Sequence, residues 1–214
     1  MTKSDSSDHN VGTGGNLVVT LVVLSSLLLA VAFNLVFLFP EVQGGVFFFN
    51  DHVMHLLMIN TAADAIRHGQ DATDVWQRTM SFGFPLFHYY QHLPHISVAL
   101  IHVLTLGALP LIDIMRWTTY LLLCLFPLSI YWSLRRFGFG QLTGAMGGLV
   151  ASLAATNHFE LVFGGLDYAN YTFRGWGVYT QLWAMALLPP ALALGYRVIR
   201  EGQGYFWATL FLAA

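Results

Sequence analysis

The sequence predicts an all-α, polytopic integral membrane protein, and two observations carry that prediction. The first is composition: of the 214 residues, 56% are hydrophobic and only 9% are charged, and the mean hydropathy is +0.61. A soluble domain carries about 25% charged residues, so much of this chain's apolar surface has to face lipid. The second is that apolar residues are grouped in long runs, and a helix needs roughly 20 of them to cross a bilayer.

The runs divide the chain into a tail, residues 1–16, and a single transmembrane domain, residues 17–214. Gly140, Gly144 and Gly148 recur every fourth residue in the third run, which predicts close helix packing. The last run is about half as long as a bilayer core requires, so we expect it to be cut short in an N-terminal piece of a longer protein. The predicted spans are 17–39, 114–134, 139–156, 178–196 and 205–214.

Basic residues predict the orientation of these spans. The run 95–110 is short for a span and favours an interfacial or re-entrant helix. With that run not crossing, one side of the membrane receives short, basic segments, and such segments are typical of the cytoplasmic side. This places the N-terminus in the cytoplasm and makes residues 40–113 a long, helical first external loop. The basic residues of the cytoplasmic side are Lys3, Arg135, Arg136, Arg197 and Arg200.

The composition argues against a nucleic-acid partner and against a disulfide within the chain. The net charge of −2 gives no basic surface for a nucleic acid, so we expect no nucleic-acid partner. The single cysteine, Cys124, lies in an apolar run and cannot form a disulfide within the chain.

The segment FFFNDHVMHLLM, residues 47–58, contains the main candidate site. A helix over residues 51–68 places Asp51 and His55 on its apolar side, one turn apart. Ionisable groups that face the interior of a membrane protein are functional candidates. The alternatives are that Asp51 only caps the helix and that His55 is a hydrogen-bonded interfacial histidine.

Other polar residues of the external loops are weaker candidates. His88, His92 and His95 have the spacing of metal ligands on a helix, but Pro94 interrupts that geometry. Tyr89 belongs to an aromatic group that is also typical of a membrane interface. In the second external loop, Glu160 could face Asp51 across a cavity and Arg174 could hold a phosphate. Ordinary solvated loop charges are the alternative for that second pair.

Several of these features together resemble the GT-C superfamily of membrane glycosyltransferases. Asp51 follows the outer end of the first span, and a juxtamembrane helix comes next. Gly83, Pro85, Tyr89 and Pro94 then match a G-x-P-x-x-x-Y-x-x-x-P segment, with the second proline one position later than in that pattern. A span ending in RRFG and a span of small residues follow. More narrowly, the chain resembles the bacterial membrane family labelled 6-pyruvoyl-tetrahydropterin synthase-related, over roughly residues 15–200.

The resemblance implies a GT-C-like N-terminal transmembrane module in the bacterial cytoplasmic (inner) membrane. It implies a polyprenyl-phosphate sugar donor, used at the outer membrane face. Asp51 is then the general base, or Asp51 and His55 hold a divalent metal, Mg²⁺ or Mn²⁺. The substrate contacts expected beside them are His88, Tyr89, Glu160 and Arg174.

Two other functions remain open at the level of the sequence. One is a non-enzymatic structural or accessory subunit of a larger membrane complex, with membrane-protein partners and a GT-C-like scaffold. The other is a haem- or pigment-binding protein, because histidine is abundant. The second requires histidines inside the spans, and the four complete predicted spans contain none.

Overall fold

The computed structural model describes residues 11–43, 51–78, 82–151 and 179–213, and most of them are helical. Two 3-10 helices, Phe39–Val42 and Leu86–His88, and one hairpin of β1 (Trp76–Gln77) and β2 (Phe84–Pro85) lie between the α-helices. The α-helices of these ranges are α1 (Val11–Phe37), α2 (His52–Arg67), α3 (Leu93–Leu104), α4 (Leu111–Arg136), α5 (Gln141–Ala151), α6 (Tyr179–Glu201) and α7 (Tyr205–Ala213).

Three of the described helices are long and apolar enough to cross a membrane: Gly15–Phe37 within α1, α4 and α6. They coincide with the predicted spans 17–39, 114–134 and 178–196. The observed α6 extends to Glu201, where Arg197 Nε and Glu201 Oε2 pair at 2.6 Å across the last turn. The third predicted span is described only as far as Ala151, and its end lies outside the described residues.

Helix α4 packs against α1, α5 and α6 and so joins the long helices together. The glycine strip predicted from the sequence lies at one of these contacts. A Cβ added at Gly148 would lie 2.7 Å from the carbonyl oxygen of Pro127 in α4, which is too close for any side chain. Gly148 therefore lets the two helix backbones approach, as the spacing of the glycines predicts.

A proline inside α4 explains why a polar residue, Asn34, lies in the first long helix. Pro127 has no N–H, so the carbonyl of Leu123, four residues earlier, loses its helical partner. Asn34 Nδ2 donates to that carbonyl oxygen at 3.1 Å, and Asn34 is completely buried. The Asn34 side chain thus replaces a hydrogen bond that α4 cannot make at Pro127.

The same replacement occurs where α4 meets α6. Pro190 leaves the carbonyl of Ala186 without its helical donor, and Ser129 Oγ of α4 donates to that oxygen at 2.6 Å. Near the end of α1, where the last carbonyls also lack helical partners, Tyr120 Oη donates to the carbonyl of Leu35 at 2.8 Å. Each contact satisfies a backbone acceptor in apolar surroundings, where water cannot.

Helices α2 and α3 pack together with the hairpin in a helical module at one end of the long helices. Helix α2 closely matches the helix predicted over 51–68. It ends in a Schellman motif, because Gly69 has φ +65° and the Gln70 N–H donates to the Ala65 carbonyl at 2.9 Å. The hairpin was not predicted, because two-residue strands are too short to show an alternating pattern.

Candidate functional site

Two histidines from different helices meet inside the helical module. His55 Nδ1 of α2 lies 3.0 Å from His95 Nε2 of α3, and both side chains are buried. His95 Nδ1 lies 2.8 Å from the Gln91 carbonyl oxygen. On the other side, the backbone N–H of Tyr179, at the start of α6, donates to His55 Nε2 at 3.3 Å. We call His55 and His95 the histidine pair, and their contacts join α2 and α3 to α6.

The partners of the pair fix the position of each proton. A carbonyl oxygen can only accept, so His95 Nδ1 carries the hydrogen. His95 Nε2 is then the acceptor for His55 Nδ1–H, and His55 Nε2 is left to accept from Tyr179. Both rings are neutral in this arrangement. An added proton would place two donors against each other, either between the rings or between His55 and Tyr179.

The surroundings of His95 also favour the neutral ring. Burial, and then the neighbouring His55 ring, lower the pKa of His95 from 6.5 to about 4. The rings around the pair include Phe87, Tyr90 and Tyr179, with centroids within about 6 Å of His55 or His95. Because these aromatic rings solvate an added charge poorly, the pair resists protonation.

Asp51 lies outside this interior. It is exposed at the start of α2, whereas the helical phase predicted that it would share the inward side with His55. Its backbone is still in the helical region and its carbonyl oxygen accepts from the His55 N–H at 3.0 Å, so a break in helical periodicity does not account for this exposure. Its side chain makes no capping hydrogen bond, with φ −77° and ψ −1°. The capping alternative is therefore not realised, and an exposed carboxylate stands at a helix N-terminus.

The two predicted members of the site are therefore separate in character. His55 has its ring nitrogens directed at His95 and Tyr179, which is the hydrogen-bonded alternative that the sequence left open. Asp51 is exposed instead. Within the described ranges, no group of three or more His, Cys, Asp or Glu side chains is placed to hold a metal ion. Joint action of Asp51 and His55 stays a prediction.

The predicted substrate residues are only partly described. His88 and Tyr89 lie on the outer surface of the module, and His88 Nε2 is 2.8 Å from Asp74 Oδ1. His92 is exposed and His95 is buried, so the three histidines of this segment point to different surroundings. Glu160 and Arg174 lie outside the described residues.

Sequence reasoning missed His95 and Tyr179 as the partners of His55. They are 40 and 124 residues away along the chain, and no local pattern connects positions so far apart. It also missed His102 of α3, whose Nδ1 donates to the Leu109 carbonyl at 2.6 Å while Nε2 accepts from Arg67 of α2. The only signal in the sequence was that His95 and His102 occur in an apolar run.

The chain matches no protein-family model, no curated protein and no solved structure.

Proposed function

We propose that the chain is a polytopic protein of the bacterial inner membrane whose helical module lies on the outer face. The support is the separation of charge along the long helices. Phe137 and Tyr196, at the ends of α4 and α6, have ring centroids 5.3 Å apart, so the arginines of both helix ends lie together. The helical module lies at the opposite end, because Tyr179 at the start of α6 contacts His55. Basic residues favour the cytoplasmic side.

We further propose that the protein is glycosyltransferase-like and transfers a sugar from a polyprenyl-phosphate donor, with Asp51 as general base. The observation that carries this is the exposed Asp51 carboxylate, which has no capping bond and stands at the N-terminus of a helix in the outer module. A donor that is half lipid and half polar has to react at the membrane interface. A carboxylate there can take the proton from an acceptor hydroxyl.

The metal alternative has less support among the described residues. A divalent ion would offset the charge of the leaving phosphate, but it needs several ligands. His55 is occupied by His95 and Tyr179, and the described ranges contain no group of three or more ligand-type side chains placed to hold a metal ion. We therefore assign Asp51 the role of base and derive no step through a metal ion.

The test compares Asp51→Asn with the wild-type protein in membranes that receive a panel of radiolabelled polyprenyl-monophosphate sugars. Loss of a general base costs about 10²- to 10⁴-fold in rate, so transfer by the variant should fall at least a hundredfold. Asp113→Asn is the matched control, because Asp113 is also an exposed carboxylate in the first turn of a helix. Unchanged transfer by Asp51→Asn would reject Asp51 as base.

The second candidate is a non-enzymatic accessory subunit of a larger membrane complex. The histidine pair favours it, because these buried imidazoles tie α2, α3 and α6 together with their nitrogens directed at protein partners. In that case the wild-type protein transfers none of the panel sugars and copurifies with a membrane-protein partner at fixed stoichiometry. Transfer by the purified wild-type protein alone would reject this candidate.

A further inference from the structure

The hairpin of the outer module presents a row of side chains that neither the histidine pair nor Asp51 uses. Along residues 74–78, exposed and buried positions alternate, because successive side chains of an extended strand point to opposite sides. Val75 and Gln77 are buried. The exposed positions of the row are Asp74, Trp76 and Arg78.

The indole of Trp76 is held in place but remains open to the outside. It lies against Gly83, where an added Cβ would overlap the indole nitrogen and its neighbouring ring carbons. Gly83 also has φ +92°, so a side chain at this position would be strained as well as crowded. Trp76 is nevertheless 58% exposed, so much of its ring is open to a ligand.

The buried side of the hairpin keeps this surface rigid. Gln77 Nε2 donates to Thr61 Oγ1 of α2 at 2.8 Å, and the Leu86 N–H donates to the Val75 carbonyl at 3.0 Å. The exposed row is therefore held to α2 by one hydrogen bond and to the segment after β2 by another. A surface fixed before binding loses less conformational entropy when it takes a ligand.

Polar groups of both signs flank the indole. Asp74 Oδ1 lies 2.8 Å from His88 Nε2, so the second strand's segment adds an imidazole beside the carboxylate. Arg78 lies on the other side of Trp76 in the row and supplies guanidinium donors. We call Asp74, Trp76, Arg78 and His88 together the hairpin face.

We propose that the hairpin face binds a neutral carbohydrate. A sugar ring has an apolar C–H side that can pack on an indole, and it has hydroxyls that both donate and accept hydrogen bonds. The carboxylate of Asp74 accepts, whereas Arg78 donates, so the two charges match the hydroxyls on either side of the stacked ring. This binding involves neither Asp51 nor a lipid-linked donor and is independent of the proposed sugar transfer.

An exposed tryptophan near a membrane could instead lie among lipid headgroups. The charges of this segment favour the carbohydrate, because its two exposed carboxylates, Asp71 and Asp74, outnumber its one exposed guanidinium, Arg78. The Thr73 hydroxyl, and then the Thr73 backbone N–H, donate to the Asp71 carboxylate and lower its pKa, so this group stays charged near neutral pH. Carboxylates are repelled by an anionic membrane surface.

The test is equilibrium binding of neutral oligosaccharides, such as cellotriose, maltotriose, mannotriose and chitotriose, to the protein in nanodiscs, with no donor present. We expect at least one to bind and Trp76→Ala to weaken that binding about tenfold, the upper end of an aromatic contact. Gly83→Ala should weaken it too, by displacing the indole. Trp207→Ala is the control, because Trp207 is similarly exposed but lies on α7.

Thermal unfolding of each variant checks that it is folded before binding is compared. Absence of binding by every oligosaccharide, or equal binding by the wild type and a folded Trp76→Ala, would overturn the proposal. So would quenching of Trp76 fluorescence by brominated lipids, measured against Trp76→Phe, because it would assign the hairpin face to the membrane. Loss of sugar transfer in Asp51→Asn leaves this binding intact, so the two proposals fail separately.

Discussion

At the scale of single residues, the histidine pair shows why an imidazole suits a buried joint between helices. A neutral ring has one donor and one acceptor nitrogen on opposite sides. The three hydrogen bonds of His55 and His95 therefore run in one direction, from the Tyr179 N–H through the two rings to the Gln91 carbonyl oxygen. The stability of this arrangement depends on pH, because an added proton would place two hydrogen-bond donors against each other.

We predict that acidification destabilises the protein through His95. Its pKa is about 4 when folded, against 6.5 ordinarily. Since the unfolded chain binds the extra proton in this window, the free energy of unfolding falls as pH drops from 7, by about 2 kcal/mol at pH 5. The loss levels off below about pH 4, where both states are protonated. Chemical unfolding in detergent at pH 7, 6 and 5 measures this.

The control for that experiment is an exposed histidine of the same region. His92→Gln should keep most of the pH dependence, because His92 is exposed and its charge is the weakest of the contributions that lower the pKa of His95. His95→Gln should lower stability at pH 7 and flatten the dependence between pH 7 and pH 5. A wild-type unfolding free energy that is equal at pH 7 and pH 5 would contradict the neutral pair.

At the scale of secondary-structure elements, the long helices are joined by side chains of one helix that donate hydrogen bonds to backbone carbonyls of another. Pro127 in α4 and Pro190 in α6 leave the carbonyls of Leu123 and Ala186 without helical donors. Asn34 of α1 donates to the Leu123 carbonyl, and Ser129 of α4 donates to the Ala186 carbonyl. Polar residues in these apolar helices are thus placed where a neighbouring helix lacks a donor.

The contact of Asn34 with the carbonyl that Pro127 leaves unpaired can be tested by paired substitution. Asn34→Leu should lower the free energy of unfolding by about 1 kcal/mol, because the Leu123 carbonyl loses its donor in apolar surroundings. Pro127→Ala restores a backbone N–H at the position that normally serves that carbonyl. In the Pro127→Ala background, the cost of Asn34→Leu should therefore shrink towards zero.

Unfolding of the wild type, both single variants and the double variant in one detergent gives the coupling. The matched comparison is Ser129→Ala, which removes the donor to the Ala186 carbonyl of α6. Its cost should be the same with and without Pro127→Ala. If Asn34→Leu lowers the free energy of unfolding equally in the two backgrounds, Asn34 does not act by replacing the donor that Pro127 removes.

The elements also show what the sequence can predict. Long apolar runs predict α1, α4 and α6 because each run alone decides a long helix. Helical phase places His55 inward, but it fails for Asp51, which is the N-cap of α2 and is exposed. The pairing of His55 with His95 depends on how separate helices pack, and no spacing along the chain encodes it. The hairpin that fixes Trp76 is likewise formed by contacts with α2 and Gly83.

At the scale of the whole molecule, the two ends of the long helices differ in chemistry. One end carries Arg136 over the Trp132 ring and Arg200 over the Tyr196 ring, at 5.0 and 5.8 Å from the ring centroids. The other end carries the helical module with the histidine pair. Aromatic rings beside basic side chains are typical of the membrane–water boundary. The proposed orientation places the arginine end in the cytoplasm and the module outside.

We predict that single cysteines will report this orientation. In a Cys124→Ala background, Gln70→Cys adds a thiol to the exposed surface of the module, and Gln203→Cys adds one to the exposed turn between α6 and α7. A membrane-impermeant maleimide cannot cross the inner membrane of spheroplasts. It should therefore label Gln70→Cys in intact spheroplasts and Gln203→Cys only after permeabilisation. The parent Cys124→Ala should stay unlabelled in both conditions. The reverse pattern would put the module in the cytoplasm, where a polyprenyl-linked donor at the outer face could not reach Asp51, and would remove the proposed sugar transfer with it.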